Sequence, residues 1–467
     1  MGRPKAVQTS FWGTLGKALL SKTAIVIVAL VAQAALLIWL VIDLSQYAAY
    51  VYAGFLVLSA LVILYVVNRD DNPDFKLVWM VPIAALPVVG AVIYLFVRLQ
   101  LGTRLIRRRI DASEAAAAEV RPRDENAVAA VRALSGGAAV TGYLEKRGFP
   151  AYINTDCTYY RLGDEMFPDM LRAIENAREF VFLEYFILEE GEMWDALFGL
   201  LKKKASQGVD VRLMYDAVGS LSKAPSGFYK VIRAAGIRCK VFAPMSPILS
   251  THQNNRDHRK LCIADGVVAF TGGINIADEY INAIIRKCGH WKDCGILVRG
   301  KAVWSMTVMF LSLWGYVDRC EEDVSRFRVA CAEKQGGTGF LQPFADSPLD
   351  NEDVGATMLQ SVISSAQERM WIMTPYLILD DKMTTALCVA AKTGVDVRII
   401  TPAIPDKWYV HAVTRANYEE LTRAGVRIYE YTPGFIHSKV YLADSVQAVV
   451  GTVNLDFRSL YLHFEDA

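Results

Sequence analysis

Two short segments decide how this chain is read: "HRKLCIAD" at 258–265 and "HSKVYLAD" at 437–444. Both run His, one residue, Lys, four residues, Asp. The chain holds six histidines, and two of them open these copies. The residues that follow also match, "TGGIN" at 271–275 against "VGTVN" at 450–454. A double match of this length points to an internal repeat.

Working outward, the repeat widens. "MLRAIENAREFVFLEYFIL" at 170–188 resembles "MLQSVISSAQERMWIMTPYLIL" at 358–379, "GVDVRLM" at 208–214 resembles "GVDVRII" at 394–400, and "AAGIRCKVF" at 234–242 resembles "RAGVRIYEY" at 423–431. Each half therefore reads helix, strand, helix, strand, helix, strand, then the His-Lys-Asp segment. That alternation predicts α/β halves with sheets covered by helices. The expected bounds are 143–335 and 336–467, related by a pseudo-twofold with the active site at the seam. The first half runs on after "WKDCGILV" (291–298) into an apolar helix, "AVWSMTVMFLSLWGYV". The second half shows no such strand and helix, so the expectation is a domain short of its C-terminal strand and helix.

On an extended strand, residues two apart share a face. His258 and Lys260 should point one way, as should His437 and Lys439. Bringing the copies together surrounds one small volume with two imidazoles and two ammonium groups, a set suited to a phosphodiester anion. One histidine can attack phosphorus while the other protonates the leaving oxygen and later deprotonates an incoming alcohol. The lysines would stabilise charge on the equatorial oxygens. Asn275 and Asn454, in "GGIN" and "GTVN", are candidate substrate-binding donors. An attacking imidazole needs a partner on its far nitrogen. Asp293, 35 residues after His258, and Glu465, 28 after His437, are the candidate orienting carboxylates. Asp265 and Asp444 complete the catalytic motif but fall beyond the strand near a turn, where a structural role is favoured. His252, His290, His411 and His463 lack the motif's context and are read as structural. Lysines beside the motif histidines would repel a cation, so no metal site is expected.

The first hundred residues have a different composition. Overall, 53% of residues are hydrophobic and the mean hydropathy is positive, high for a soluble enzyme. Apolar runs lie at 24–42, 47–67 and 77–97. Each approaches the roughly 20 residues that cross a bilayer core. The first two are joined only by "DLSQ"; the third contains Pro82, Pro87 and Gly90, which suggest a kinked or re-entrant segment. A signal peptide is the competing reading, but "ALLIWLVI" continues past the small residues at 32–34, and signal cores are shorter. Residues 1–98 are therefore expected to form a membrane anchor of two or three helices. Arg3, Lys5, Lys17 and Lys22 precede it, and Arg98, Arg104, Arg107, Arg108 and Arg109 follow it. Basic flanks prefer the cytoplasm, so both ends ask for the same side. The arginines could also hold anionic headgroups. Residues 99–142 read as a linker with a short polar helix and a flexible joint.

Composition excludes some classes. A net charge of +1 gives no global case for nucleic-acid binding. None of the eight cysteines forms a C-x-x-C pair, which argues against a zinc framework and suits free thiols. There is no G-x-x-x-x-G-K-[ST] phosphate loop.

The paired motifs make the chain resemble the phospholipase D superfamily. Within it, the chain is similar to bacterial cardiolipin synthases through three stretches: "NPDFKLVWMVPIAALPVVGAVIYLF" at 72–96, "HRKLCIADGVVAFTGGINIADEY" and "GTVNLDFRSLYLHFE". The resemblance implies two pseudo-symmetric phospholipase D-like α/β sandwich halves behind a transmembrane helical anchor. It also implies transfer of a phosphatidyl group between two phosphatidylglycerol molecules through a phosphohistidine, giving cardiolipin and glycerol without a cofactor. A hydrolase or another phosphatidyltransferase is the alternative. The expected setting is the bacterial inner membrane, multi-pass, with the catalytic part on the cytoplasmic side and no nucleic-acid partner. One departure stands out: Gly273 occupies a position where the family commonly has serine, removing a hydroxyl near the phosphate.

Overall fold

The structure is a computed structural model that describes residues 22–42, 45–69, 72–98, 101–132, 137–244, 254–318, 322–329, 339–350 and 352–467. His252, Cys320, Cys331 and the N-terminal Arg3, Lys5 and Lys17 lie outside the described residues, as do two of the four residues expected to join the first two apolar runs. The chain divides into two units, one ending at Leu105 and one comprising Ile106–Pro244 with Asn254–Ala467.

In the first unit, helices span Lys22–Ile42 and Ser45–Val67. Within the second, Ala49–Val67 is long and apolar enough to cross a membrane. The third apolar run is two helices, Pro73–Ala85 and Pro87–Arg98. At about 20 and 18 Å, neither arm reaches across a 30 Å core. Asn72 caps the first arm by accepting the Asp74 N–H at 3.0 Å, and Pro73 takes the first turn, where its missing N–H costs nothing. Pro87 cannot continue that helix. The second arm turns back closely: a Cβ on Gly90 would stand 2.6 Å from the Ile83 Cα and the Pro82 carbonyl oxygen. Ser59 donates to the Pro87 carbonyl at 2.7 Å, and Val62, Val66, Ile83, Ala91 and Tyr94 bury one another.

Helices occupy much of 101–146, where a short polar helix and a flexible joint were expected. Leu101–Val120, Glu125–Arg132 and Ala138–Lys146 are helical, and Ile110, Ala117, Val140 and Leu144 are buried in the cores of the α/β halves. The "AAAA" run carries high helix propensity, and its apolar face supplies the packing.

The strands of the first half are β1 (Thr155–Tyr160), β2 (Phe180–Tyr185), β3 (Asp210–Asp216), β4 (Arg238–Phe242), β5 (Arg256–Asp257), β6 (Leu261–Ala264), β7 (Val268–Gly272), β8 (His290–Lys292) and β9 (Gly295–Gly300). Those of the second are β10 (Ala345–Asp346), β11 (Arg369–Met373), β12 (Asp396–Pro402), β13 (Arg427–Tyr431), β14 (Gly434–Ile436), β15 (Val440–Ala443), β16 (Gln447–Val450) and β17 (His463–Asp466). One sheet runs β1-β9-β7-β6-β2-β3-β4 and the other β13-β12-β11-β15-β16. The parallel trio β2-β3-β4 with antiparallel β6 and β7 matches β11-β12-β13 with β15 and β16. Counterparts of β9 and β1 are absent from the second sheet among the described residues. The helix Ala302–Asp318, almost entirely buried, covers the first sheet.

Two short sheets stitch the halves together. β8 pairs in parallel with β14, and β17 pairs in parallel with β5 and antiparallel with β10. Strands from opposite halves thus run side by side where each motif begins.

Asp265 and Asp444, carried above with the catalytic motif, are structural anchors. Each sits at positive φ, 51° and 52°, on the turn after its motif strand. The Asp265 carboxylate accepts the N–H groups of Arg178, Glu179 and Phe180 at 2.7–2.9 Å; Asp444 accepts those of Gln367, Glu368 and Arg369 at the same distances. Each clamps the hairpin to the start of the central strand. Hydrogen bonds to a charged acceptor contribute more than neutral ones. Asp265→Ala or Asp444→Ala is expected to cost about 1–3 kcal/mol of stability, read as a lower thermal midpoint. Turnover per folded molecule should persist; a folded but inactive variant would return these aspartates to the chemistry.

Candidate active site

His258 and Lys260 lie in extended chain just before β6, and His437 and Lys439 just before β15. All four are buried, at 6, 2, 7 and 0% exposure. The stitching strands bring the two motifs together. The His437 N–H donates to the Lys292 carbonyl at 2.7 Å, continuing the β8–β14 ladder and setting His437 beside Asp293. The His258 N–H donates to the Phe464 carbonyl at 2.9 Å, continuing β5–β17 and setting His258 beside Glu465.

The orienting pairs are therefore crossed. His258 Nδ1 is 2.8 and 3.0 Å from the two Glu465 oxygens, and His437 Nδ1 is 2.6 Å from Asp293 Oδ2. Both carboxylates are the ones expected from sequence, but each serves the histidine of the other half. A carboxylate accepts, so each Nδ1 carries the proton and each Nε2 keeps its lone pair; at His437 the Lys439 Nζ lies 2.7 Å from Nδ1 and 3.2 Å from Nε2. Ser459 donates to Glu465 at 2.6 Å, and the Cys294 N–H donates to Asp293 at 2.8 Å, fixing the carboxylates in turn.

Aromatic rings enclose the imidazoles. Phe186 lies 5.1 Å from His258, while Tyr280, Trp291 and Phe435 lie 5.4, 5.6 and 5.9 Å from His437, centroid to centroid. Burial lowers His258 well below the usual imidazole range against the pull of Glu465. Burial, then the Lys439 charge, pushes His437 down to about 4 against Asp293. Burial also pushes Lys260 down to about 7; Glu465 opposes the fall and Lys439 adds to it. Lys439 is lowered by burial against Asp293. The Lys439 charge contributes to the fall of Lys260 and the Lys260 charge to that of His437, so the two motifs act on each other electrostatically. Glu465 is held well below the ordinary carboxylate range by His258, although burial opposes it.

The two asparagines differ. Asn275 accepts the Ile187 N–H at 3.0 Å and donates to the Tyr280 hydroxyl at 2.8 Å, so it braces the wall of the site. Asn454 is buried with its side-chain oxygen unpartnered.

Three groups were not legible as site residues. His463, read as structural, lies 5.3 Å from the His258 ring, and both its ring nitrogens are buried without a hydrogen bond. It precedes Glu465 by two on β17, so strand alternation could have placed both on one face. Asp466 accepts from Thr271 at 2.5 Å and the Lys260 N–H at 3.4 Å, and burial raises it to about 6. Behind it, burial raises Glu184 well above the carboxylate range and Asp257 to about 7. Of the others set aside, His290 meets the Tyr431 hydroxyl at 3.1 Å and His411 lies on the Trp408–Ala416 helix. His258, His463 and Glu465 could bring three ligand atoms within 4.8 Å of one another. The Glu465 carboxylate is already engaged by His258 and Ser459, and His463 Nδ1 lies 3.6 Å from it.

Gly273 has a local explanation. A Cβ there would stand 2.0 Å from Asp293 Oδ1, so any side chain displaces the carboxylate that orients His437.

A phospholipase D-like cardiolipin synthase domain model matches residues 170–284 and 359–467, and a phospholipase D-nuclease N-terminal model matches 57–98. Among curated proteins, the chain is 40% identical over 407 residues to an uncharacterized Streptococcus mutans protein, covering 87% of this chain and 88% of that one. It is 34% identical over 411 residues to a cardiolipin synthase of Geobacillus kaustophilus (87% and 82%) and 32% identical over 406 residues to cardiolipin synthase 2 of Bacillus cereus (86% and 78%). Among solved structures, the phosphatidylserine synthase of Haemophilus influenzae shares the fold, with a TM-score of 0.51 at 14% identity over 68% of this chain and 82% of that one.

Two outcomes are expected. Gly273→Ala should fold but lose on the order of 10²-fold or more in turnover as the His437 imidazole loses its carboxylate partner; wild-type turnover would show that Asp293 is free to move. Tungstate, an anionic analogue of phosphate, should bind more weakly as pH rises above about 7 and Lys260 loses its charge, approaching tenfold per unit. Calorimetry between pH 6 and 9 checks this, with Lys260→Arg expected to flatten the dependence.

Proposed function

The chain belongs to the cardiolipin synthases of the phospholipase D superfamily, which are phosphatidyltransferases acting on phospholipids; on that premise we propose that its paired histidines transfer a phosphatidyl group from one phosphatidylglycerol to another. The observation that carries this reading is the crossed carboxylate–imidazole pairing, which engages the Nδ1 of each ring and leaves the chemistry to Nε2. His258 Nε2 attacks phosphorus, and the bond to the headgroup glycerol oxygen breaks. His437, as the imidazolium, gives that oxygen its proton and glycerol leaves. His437, now neutral, takes the proton from a headgroup hydroxyl of the second phosphatidylglycerol, whose oxygen attacks phosphorus. The phosphorus–nitrogen bond breaks, releasing cardiolipin and restoring both rings.

Lys260 and Lys439 neutralise the phosphate oxygens in this reading. Burial depresses both ammonium groups and His437 in the free protein. The anionic phosphodiester reverses that balance, since a nearby negative charge favours the protonated form. Binding and proton uptake are thus coupled, and His437 becomes an acid when there is a phosphate to act on. One phosphodiester is exchanged for another, so no nucleotide is needed to drive the step.

The reading extends to the membrane unit. The Lys22–Ile42 and Ser45–Val67 helices are long enough to span. The paired arms of 73–98 fold back on themselves and add no crossing. Two spans return the chain to its starting side, as the basic flanks require, and that side is the cytoplasm.

The test uses the purified full chain in detergent with headgroup-labelled phosphatidylglycerol. Cardiolipin and labelled glycerol should appear in equal amounts, and His258→Ala or His437→Ala should lower the rate on the order of 10³-fold or more. Phosphatidic acid as the sole lipid product would overturn transfer in favour of hydrolysis. Acid-quenched enzyme should carry its phosphatidyl group on His258; label on His437 would reverse the two roles.

A further inference from the structure

Two loops beside His437 expose large apolar side chains that no other part of the described chain covers. One is the hairpin before β8, with Ile284 46% and Ile285 75% exposed; the other leads into the Trp408–Ala416 helix, with Trp408 78% and Tyr409 55% exposed. The loops touch. Cys288 Sγ lies 3.7 Å from the Pro405 carbonyl oxygen, and a Cβ on Gly289 would lie 3.7 Å from Ile404 Cδ1. Trp408 and Tyr409 meet edge to face at 5.9 Å.

Both loops lead to the chemistry. The hairpin runs through β8 into Asp293, the partner of His437. In the other loop Asp406 accepts from the Tyr376 hydroxyl at 2.7 Å; Tyr376 packs on Phe435 at 6.4 Å, and Phe435 on His437 at 5.9 Å. Lysines and arginine are interleaved: Arg286 and Lys287 in the hairpin, Lys407 beside Trp408, all exposed. Arg286 is engaged by Glu189 and Glu279, and Lys407 Nζ lies 3.9 Å from Asp406, which leaves Lys287 as the cation of the rim without a partner carboxylate among those named.

Contiguous exposed apolar side chains mark an interaction surface. Tryptophan and tyrosine favour the boundary between headgroups and acyl chains, and lysine favours an anionic surface. We propose that these two loops form a rim that inserts into an anionic phospholipid bilayer, seating the His437 side of the site at the headgroup layer where a lipid can pass into it without crossing water. The occupant is a bilayer because the residues combine interfacial aromatics with basic charge. The inference rests on the phosphatidyl-transfer reading only for what passes along the rim.

The test is made on the full chain in nanodiscs of phosphatidylglycerol with brominated acyl chains. The fluorescence lost in Trp408→Phe should be the quenched component of the wild-type emission. Trp408→Asp combined with Ile285→Asp should lower turnover of bilayer phosphatidylglycerol about tenfold, while turnover of monomeric dihexanoyl-phosphatidylglycerol stays unchanged. A Trp408 signal unquenched by brominated lipid, or equal loss on both substrates, overturns the proposal. So does protection of Trp408 from iodide that grows with protein concentration in lipid-free detergent, which would assign the patch to a second copy of the chain. If wild type turns over neither lipid, the transfer reading falls and the quenching result alone decides the rim.

Discussion

The site depends on an exchange of strands between halves. β8 leaves the first half to run beside β14, and β17 leaves the second to run beside β5. Each exchange delivers one carboxylate to a histidine 144 or 207 residues away. The backbone ladder sets the position: His437 and His258 each donate their N–H to the borrowed strand at 2.7 and 2.9 Å. Side-chain geometry follows from main-chain pairing, which leaves little freedom for the imidazoles to drift. Neither half holds a complete set of pairs, since each supplies the imidazole of one and the carboxylate of the other.

Burial then tunes the charges. Two lysines and two histidines enclosed by Phe186, Tyr280, Trp291 and Phe435 are pushed toward their neutral forms. Burying such groups without a counter-charge is costly. Glu465 and Asp293 offset part of this cost, and an arriving phosphate offsets more. An anionic phosphodiester therefore meets a cluster whose protonated forms it favours.

Much of this was legible in the sequence, because duplication made it so. The alternation of helix and strand in each half, the pairing of His258, Lys260, His437 and Lys439, and the choice of Asp293 and Glu465 as partners all follow from matched spacing. The crossing of those partners was not legible, because sequence separation ranks the nearer histidine first and strand exchange reverses that order. Asp265 and Asp444 share the motif yet serve the backbone, since three N–H groups at the start of β2 and of β11 need an acceptor. His463 was read as structural because it has no counterpart in the first motif's surroundings: Trp291, two residues before Asp293, stands in the equivalent place. A polar helix in 99–142 was legible, but the packed helix Ala138–Lys146 was not, because the Gly and Ser residues near 135 suggested a joint while burial of Val140 and Leu144 depends on tertiary packing.

Gly273 carries a consequence for how such sequences diverge. The closeness of its backbone to the Asp293 carboxylate makes the two positions interdependent. A descendant cannot gain a hydroxyl at 273 by one change and keep the acid where it stands; the strand bearing residue 293 must retreat at the same time. Positions 273 and 293 should therefore vary as a unit, and hybrids that mix one lineage's residue with another's strand should be defective although each parent works.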